Sequence, residues 1–304
     1  TGIVLAVALW GISRININDN PTKWFTHSHP IRVADRTLND HFAGTYQAYL
    51  SLRPSAQQAD REPVRESLLE ALQQKQAAQE ALYSDDDEED MREEIGRVYE
   101  QAREVIRGMQ PPQGRSLDER RAFLERALAA LRDKSDDSLT WEDAISTVQS
   151  ARDRLTQYFK QPERLRVIDE LQQRLPEVKN AQGRPIVGKS NSLVDIVKKV
   201  NLELHGAPEY NRIPDSYEAV GQTILQFQNS NRPTDLLHFT TTPRYDQANV
   251  WMQLRSGDNK DMERVIAAVD EFMADHPEME HEWFGLTYIN VKWQDKMVSG
   301  MLMA

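Results

Sequence analysis

The chain contains no cysteine. Disulfides and thiolate metal sites are therefore excluded, while the redox compartment stays open. Positive charge is also short, with 37 lysines and arginines against 48 aspartates and glutamates, a net −11. Binding a phosphate backbone needs a basic surface, so nucleic acid is not an expected partner. Electrostatic docking onto anionic headgroups is disfavoured for the same reason. No apolar run reaches the roughly 20 residues that cross a bilayer, and the mean hydropathy of −0.67 gives a polar body. The glycosylation pattern occurs only as Asn20-Pro21-Thr22, where proline blocks it. There is no G-x-S-x-G motif, no thiol nucleophile and no serine beside a histidine in a suggestive context. Paired acids such as Asp136-Asp137 are too common here to mark catalysis, so the chain is not expected to be an enzyme or to carry a cofactor.

What is present begins at the two ends. Thr1 to Trp10 is an apolar run, followed by the alternating Ile12-Ser13-Arg14-Ile15-Asn16-Ile17-Asn18-Asp19. Glu282 to Gln294 alternates apolar and polar residues and is rich in β-branched and aromatic types, which predicts a strand. Met297 to Ala304 then turns apolar and small. Trp10 and Trp293 flank the apolar ends, where interfacial aromatics sit in membrane proteins. Two half-spans at the ends of a polar chain suggest a loop between two membrane helices, both entering one face of a bilayer. A signal peptide is disfavoured, because no basic segment precedes the first run and no small-residue cleavage site follows it. Edge strands or docked helices of a soluble domain are the plainer alternative.

Between the ends the expected organisation is α+β. Residues 11–54 read β-α-β: the alternating segment, a helix opening at Pro30 with Ile31, Ala34, Leu38 and Phe42 on one stripe, and a strand over Thr45–Leu52 closed by Pro54. Residues 55–210 read as a helical insertion. From Ser55 to about Lys160 it is dominated by Glu, Gln, Ala, Arg and Leu, with spacings such as Leu68, Leu69, Leu72 and Leu124, Leu128, Leu131. Three or four helices are expected there, broken at Gly108–Gly114 and closing on one another as a bundle. Pairing with a partner or a second copy is the alternative. Residues 211–296 read β-α-β again, with a helix over Tyr217–Phe227, a strand over Ala248–Leu254, and a helix carrying Val265, Ile266, Val269 and Phe272. Two such units suggest a ferredoxin-like, split β-α-β domain with a large inserted helical domain.

Several patterns invite chemistry and are better explained without it. Gly183-Arg184-Pro185-Ile186-Val187-Gly188-Lys189-Ser190 matches the phosphate-loop pattern letter for letter. That motif works only between a buried strand and a helix, and the preceding Leu171–Glu177 is helical and charged. A loop between helices is the expectation. The run Asp85–Asp90 lacks the glycine and spaced ligands of a calcium loop, and suits a helix start. His27, His29, Asp35 and His41, and the pair His276 and His281, have ligand chemistry without the spacing of a known cage; no metal site is expected.

Apolar chemistry remains. Trp24, Phe25, Phe42, Tyr46, Tyr49, Phe227, Phe239, Trp251, Met252, Trp283 and Phe284 concentrate in the two β-α-β units. Most aromatic residues at such spacings are core. A mostly apolar cleft with Met and aromatic walls is nonetheless what a lipid-like ligand requires, and a lipid binder is expected to hold that cleft between the β-α-β core and the helices.

Asp19-Asn20-Pro21 through Trp24-Phe25, His29–Asp35 and Leu38–Tyr46 resemble the start of an extracytoplasmic loop in an RND-superfamily exporter. Val187–Lys198, Arg212-Ile213-Pro214-Asp215-Ser216 and Asn290-Val291-Lys292-Trp293 carry the same resemblance. The branch is that of the lipid and hopanoid exporters, related to the mycobacterial membrane protein large group. Residues from about Ser55 to Lys160 depart from the family pattern. The resemblance implies a porter-type periplasmic domain of a bacterial inner-membrane transporter, with the second loop of such a protein favoured. Residues 1–10 would end one transmembrane helix and residues 297–304 begin the next. It further implies passage of a hopanoid- or sterol-like lipid outward, driven by proton flux in a membrane part outside this chain. Implied partners are that lipid, the membrane through both ends, periplasmic lipid-carrier proteins and a homo-oligomer. The rival expectation is a module that docks periplasmic proteins and holds no cargo.

Overall fold

A computed structural model of the chain describes Gly2 and residues 21–55, 64–83, 89–112, 117–136 and 138–303. The strand expected over residues 12–19, the apolar run to Trp10 and most of the acidic run at 85–90 lie outside these.

Helix α1 (Pro30–His41) starts where sequence chemistry dictates, with proline in its first turn and the His29 ring accepting from the Ile31 amide. Its one buried side chain, Asn39, accepts from the Thr45 amide at 2.9 Å and fastens the helix to strand β1 (Tyr46–Pro54). Four helices follow: α2 (Val64–Glu80), α3 (Glu89–Gly108), α4 (Leu117–Lys134) and α5 (Leu139–Thr156). Glu89 and Asp90 stand in the first turn of α3, where the helix dipole favours acids. Helix α6 (Pro162–Arg174) again has proline at its start. Strand β2 (Val187–Asn191) leads into α7 (Leu193–His205), opened by a capping box of Ser192 and Asp195. Helix α8 (Tyr217–Gln228), strand β3 (Ala248–Leu254), helix α9 (Asn259–Ala274), strand β4 (Met279–Phe284) and helix α10 (Leu286–Met303) complete the chain.

Two elements differ from the sequence expectation. Leu286 to Trp293, expected as strand, is the first half of α10. Gly285 turns the chain there at φ +97°. Thr287 and Val291, four residues apart, are then buried together, so helical spacing outweighs β-branched composition. The phosphate-loop look-alike is likewise more than a loop between helices. Asn180 Oδ1 accepts from the amides of Gln182 and Arg184 to make the turn, and Gly188 and Lys189 then lie extended in an edge strand. A Cβ on Gly188 would sit 1.8 Å from the Ala43 carbonyl oxygen, so close backbone approach explains this glycine. No strand-to-helix cradle forms around the motif.

The four strands form one sheet in the order β2-β3-β1-β4, every neighbouring pair antiparallel. One face packs Ala48, Leu50, Leu52, Val250, Met252 and Leu254 against apolar residues of α6, α7, α8 and α9. Each fully buried leucine or valine there contributes about 1.5–3 kcal/mol relative to exposure. Helices α2–α5 have a core of their own, including Leu68, Leu72, Tyr99, Phe123, Leu128, Trp141 and Val148. The ends of this four-helix unit lie side by side, because the Ser55 amide and the Tyr158 hydroxyl both donate to the Glu278 carbonyl, at 2.9 and 3.1 Å. Helices α6 and α7 fall in the stretch expected as insertion and pack on the sheet.

Candidate functional site

The strand register decides which candidate aromatics meet. Tyr49 on the central strand lies opposite both Trp251 on β3 and Phe284 on β4. Strand alternation sends these side chains to the face opposite the buried Leu50 and Val250. Tyr49 stands edge-on to Trp251 with centroids 5.2 Å apart and stacks on Phe284 at 5.1 Å. Both spacings suit attractive aromatic pairs. Phe239 and His238, from the loop before β3, extend the row at 5.4 and 5.0 Å from Trp251. Phe284 is 41% exposed, while Tyr49 and Trp251 are half-buried.

The row is rigidly built. Gly285 lies against the Tyr49 ring, and a Cβ there would come within 2.6 Å of it. Behind Gly285, the Thr287 hydroxyl donates to the Gln47 carbonyl at 2.7 Å, pinning α10 to β1. Polar side chains border the rings on the same face: Gln47, whose amide oxygen accepts from the Tyr49 hydroxyl, Gln253 and Lys189 on neighbouring strands, and Ser51, which accepts from Gln247 at 2.6 Å. A cleft of about 420 Å³ lies at the Tyr49 end, lined by Thr45, Tyr46, Gln47, Tyr49, Leu286 and Thr287. Such an arrangement presents partly exposed aromatic surface with polar groups at its rim.

The other candidates go elsewhere. Met252 is buried in the main core, and Phe227 and Trp283 pack against it. Tyr46 is a fastener: its hydroxyl donates to Asp35 at 2.9 Å and lies 3.2 Å from Thr22. Trp24, 71% exposed, and Phe25, stacked on His29, lie before the start of α1, and the exposed Phe42 follows its last turn. The cleft expected between the sheet and its helices is instead filled by the core side chains. Sequence patterning missed His238, Leu286 and Gly285. Only the glycine between two differently patterned segments carried a signal, as a turn position.

At the sheet end where β1 begins, Lys23 forms an ion pair with Asp258, and the adjacent Asn259 hydrogen-bonds Gln294 of α10. The segment at residues 21–24 and helix α10 therefore meet at the start of α9, and Trp24, Leu286, Ile289 and Trp293 are exposed in these segments.

The histidines have local roles. His41 bonds the Thr37 carbonyl at 2.9 Å, His281 bonds Asp270 at 2.8 Å, and His276 packs on Phe272 and faces Glu278. Among the described residues no group of three or more such side chains is placed to hold a metal ion. Among them, too, no helix is long and apolar enough to cross a membrane.

Comparison with known protein families, with curated protein sequences and with solved structures finds no match.

Proposed function

We propose that this chain is the periplasmic domain of an RND-type inner-membrane lipid exporter, and that its aromatic row contacts a hydrophobic, hopanoid- or sterol-like cargo. The observation that carries the reading is the row itself: Phe284, Tyr49 and Trp251 aligned across three strands on the sheet face that lacks the core. Flat rings with a polar rim suit a rigid polycyclic body bearing one polar group.

The fold is consistent with a porter-type domain. What supports this is the strand order: the pairs β1/β2 and β3/β4, each joined by helices, are both separated by an antiparallel strand, as a split β-α-β fold would have. The helices α2–α5 then sit as an insertion in the first crossover. Both segments that flank the chain's apolar ends meet at one end of the sheet beside exposed tryptophans, as a loop between two membrane helices requires. Energy for passage would come from proton movement in a membrane part outside this chain.

A second reading, a module docking periplasmic proteins, is favoured by two observations: the core between the sheet and its helices is filled where a cargo cleft was expected, and the α2–α5 unit carries an exposed apolar patch. Leu82, Met91 and Leu139 are exposed on the helical insertion, Leu139 at 81%, and Met91 and Leu139 line a common cleft of about 430 Å³.

The test is retention. The purified chain is incubated with a total lipid extract of its source, washed, and its bound lipids identified by mass spectrometry against a denatured control. Selective enrichment of a polycyclic class, lost in Trp251→Ala, is expected. No enrichment over control would remove the cargo reading and leave the docking module.

A further inference from the structure

Helix α1 is held to the body by its polar residues. Arg32 donates to the Phe25 and Lys23 carbonyls at 3.1 and 3.3 Å, and Asp35 accepts from the Tyr46 hydroxyl at 2.9 Å. Asn39 accepts from the Thr45 amide at 2.9 Å, and its own carbonyl accepts from Arg255, just after β3, at 3.1 Å. Arg32, Asp35 and Asn39 stand at i, i+3 and i+7, which puts them on one face of the helix. The apolar stripe is left outside. Ile31 is 47% exposed, Leu38 43%, and Phe42, just past the last turn, 63%. A surface helix ordinarily buries such a stripe against its own domain, because apolar surface gains by leaving water. Here the domain takes the polar face instead, so the stripe is free for another surface.

The neighbourhood says which surface. The Arg32 bonds tie the start of α1 to the segment carrying Trp24, 71% exposed. That segment meets α10, where Trp293 is 54% exposed, at the start of α9. Tryptophans exposed together at one end of a domain suit the membrane–water interface. The apolar runs Thr1–Trp10 and Met297–Ala304 lie outward of these same two segments in the sequence. Charge selects the lipid. Helix α1 balances Arg32 and Arg36 against Asp35 and Asp40, and the chain is −11 overall, so nothing draws it to anionic headgroups. A zwitterionic bilayer is the matching surface.

We propose that α1 lies along a bilayer surface with Ile31, Leu38 and Phe42 in the interfacial layer, an inference that rests on the reading of the chain as a domain held at a membrane by both ends. The absence of cysteine allows one dye per molecule. Leu38→Cys on α1, Trp293→Cys on α10 and Leu139→Cys on α5 each carry a nitrobenzoxadiazole label on the complete 304-residue chain. With phosphatidylcholine vesicles, the labels at Leu38 and Trp293 are expected to brighten and shift to the blue, and the label at Leu139 to stay unchanged. Spin-labelled lipids should quench the Leu38 dye more from near the headgroup than from deep in the acyl region. With Leu38→Glu and Phe42→Glu together, both at exposed sites, a label at Ile31→Cys is expected to lose its shift while that at Trp293 keeps it. A shift at Trp293 with none at Leu38 would remove this inference and leave the membrane reading standing. A shift at Leu38 alone would keep α1 on the bilayer and remove the attachment through both ends. No shift at either would remove both. A Leu38 label already blue-shifted without vesicles, or one that shifts only as protein concentration rises, would assign the stripe to the chain's own residues or to a second copy, and would overturn the proposal.

Discussion

The sheet body and the four-helix unit α2–α5 solve the same problem by different means. The body assembles its core from residues far apart in the chain: Leu50, Val250 and Met252 on strands, Leu165 and Val265 on helices. The insertion closes a separate core from four helices that follow one another directly. Among the described residues a handful of side-chain bonds join the two. Arg154 meets Glu218 at 2.6 Å, Arg121 lies 3.5 Å from Asp246, and the Tyr217 hydroxyl donates to Gln157 at 2.7 Å. The exposed Arg154–Glu218 pair is worth about 0–1 kcal/mol, and the other two bonds are partly buried. A local, self-closing unit can be carried on a fold of long-range pairings without altering its register.

That contrast breaks most visibly if the insertion is removed. Replacing residues 56–157 by a short Gly/Ser linker, which the shared Glu278 carbonyl shows to be a short span, is expected to leave a body that unfolds cooperatively. Urea melts followed by far-UV circular dichroism read this, with the denaturant slope falling with the buried surface lost. A molten body would show that the insertion props up the sheet. Next in size are two core truncations. Leu50→Ala and Leu128→Ala each remove a fully buried leucine and are each expected to cost about 2–5 kcal/mol. In fragment-resolved hydrogen exchange, the loss should stay within the mutated half; spread into the other half would deny two cores.

Gly285→Ala sharpens the link between fold and row. A Cβ there meets the Tyr49 ring at 2.6 Å and the backbone sits at φ +97°, so about 1–3 kcal/mol should be lost. Near-ultraviolet dichroism should report a changed Tyr49 environment. The smallest effect is at the joint. Arg154 donates to Glu218 and holds its carboxyl below the usual range. A depressed carboxyl pKa gives stability present above the unfolded value, near 4.3, and lost as pH falls through the folded value. Glu218→Gln should therefore lower the unfolding free energy slightly at pH 7, by under about 1 kcal/mol, and not at pH 3. An equal difference at both values would mean the pair is not what Glu218 contributes.

Much of this architecture is legible in the sequence, for local reasons. Proline opens α1 and α6, Ser192 with Asp195 opens α7, and alternation marks β1 and β3; each is decided within a few residues. Two elements were not legible because tertiary context decides them. Val187–Asn191 is a strand because Gly188 can press against the Ala43 carbonyl and β3 offers a free edge. Leu286–Trp293 is a helix because Gly285 reverses the chain and Thr287 and Val291 find β1 beneath them. The row shows the same limit. Aromatic type and strand spacing identify Tyr49, Trp251 and Phe284 as candidates, but only the register brings them together and leaves Met252, Phe227 and Trp283 to the core. His238 arrives from a loop, where no periodicity points to it.

The central claim is that cargo lies on that row, and photolabelling tests it most directly. The complete chain is loaded with a diazirine-bearing sterol, irradiated, digested and mapped by mass spectrometry. The account predicts labels on peptides carrying Tyr49, Trp251 and Phe284, reduced by excess unlabelled sterol and by Trp251→Ala. Labels confined to the α2–α5 insertion, or none that unlabelled sterol competes away, would contradict it.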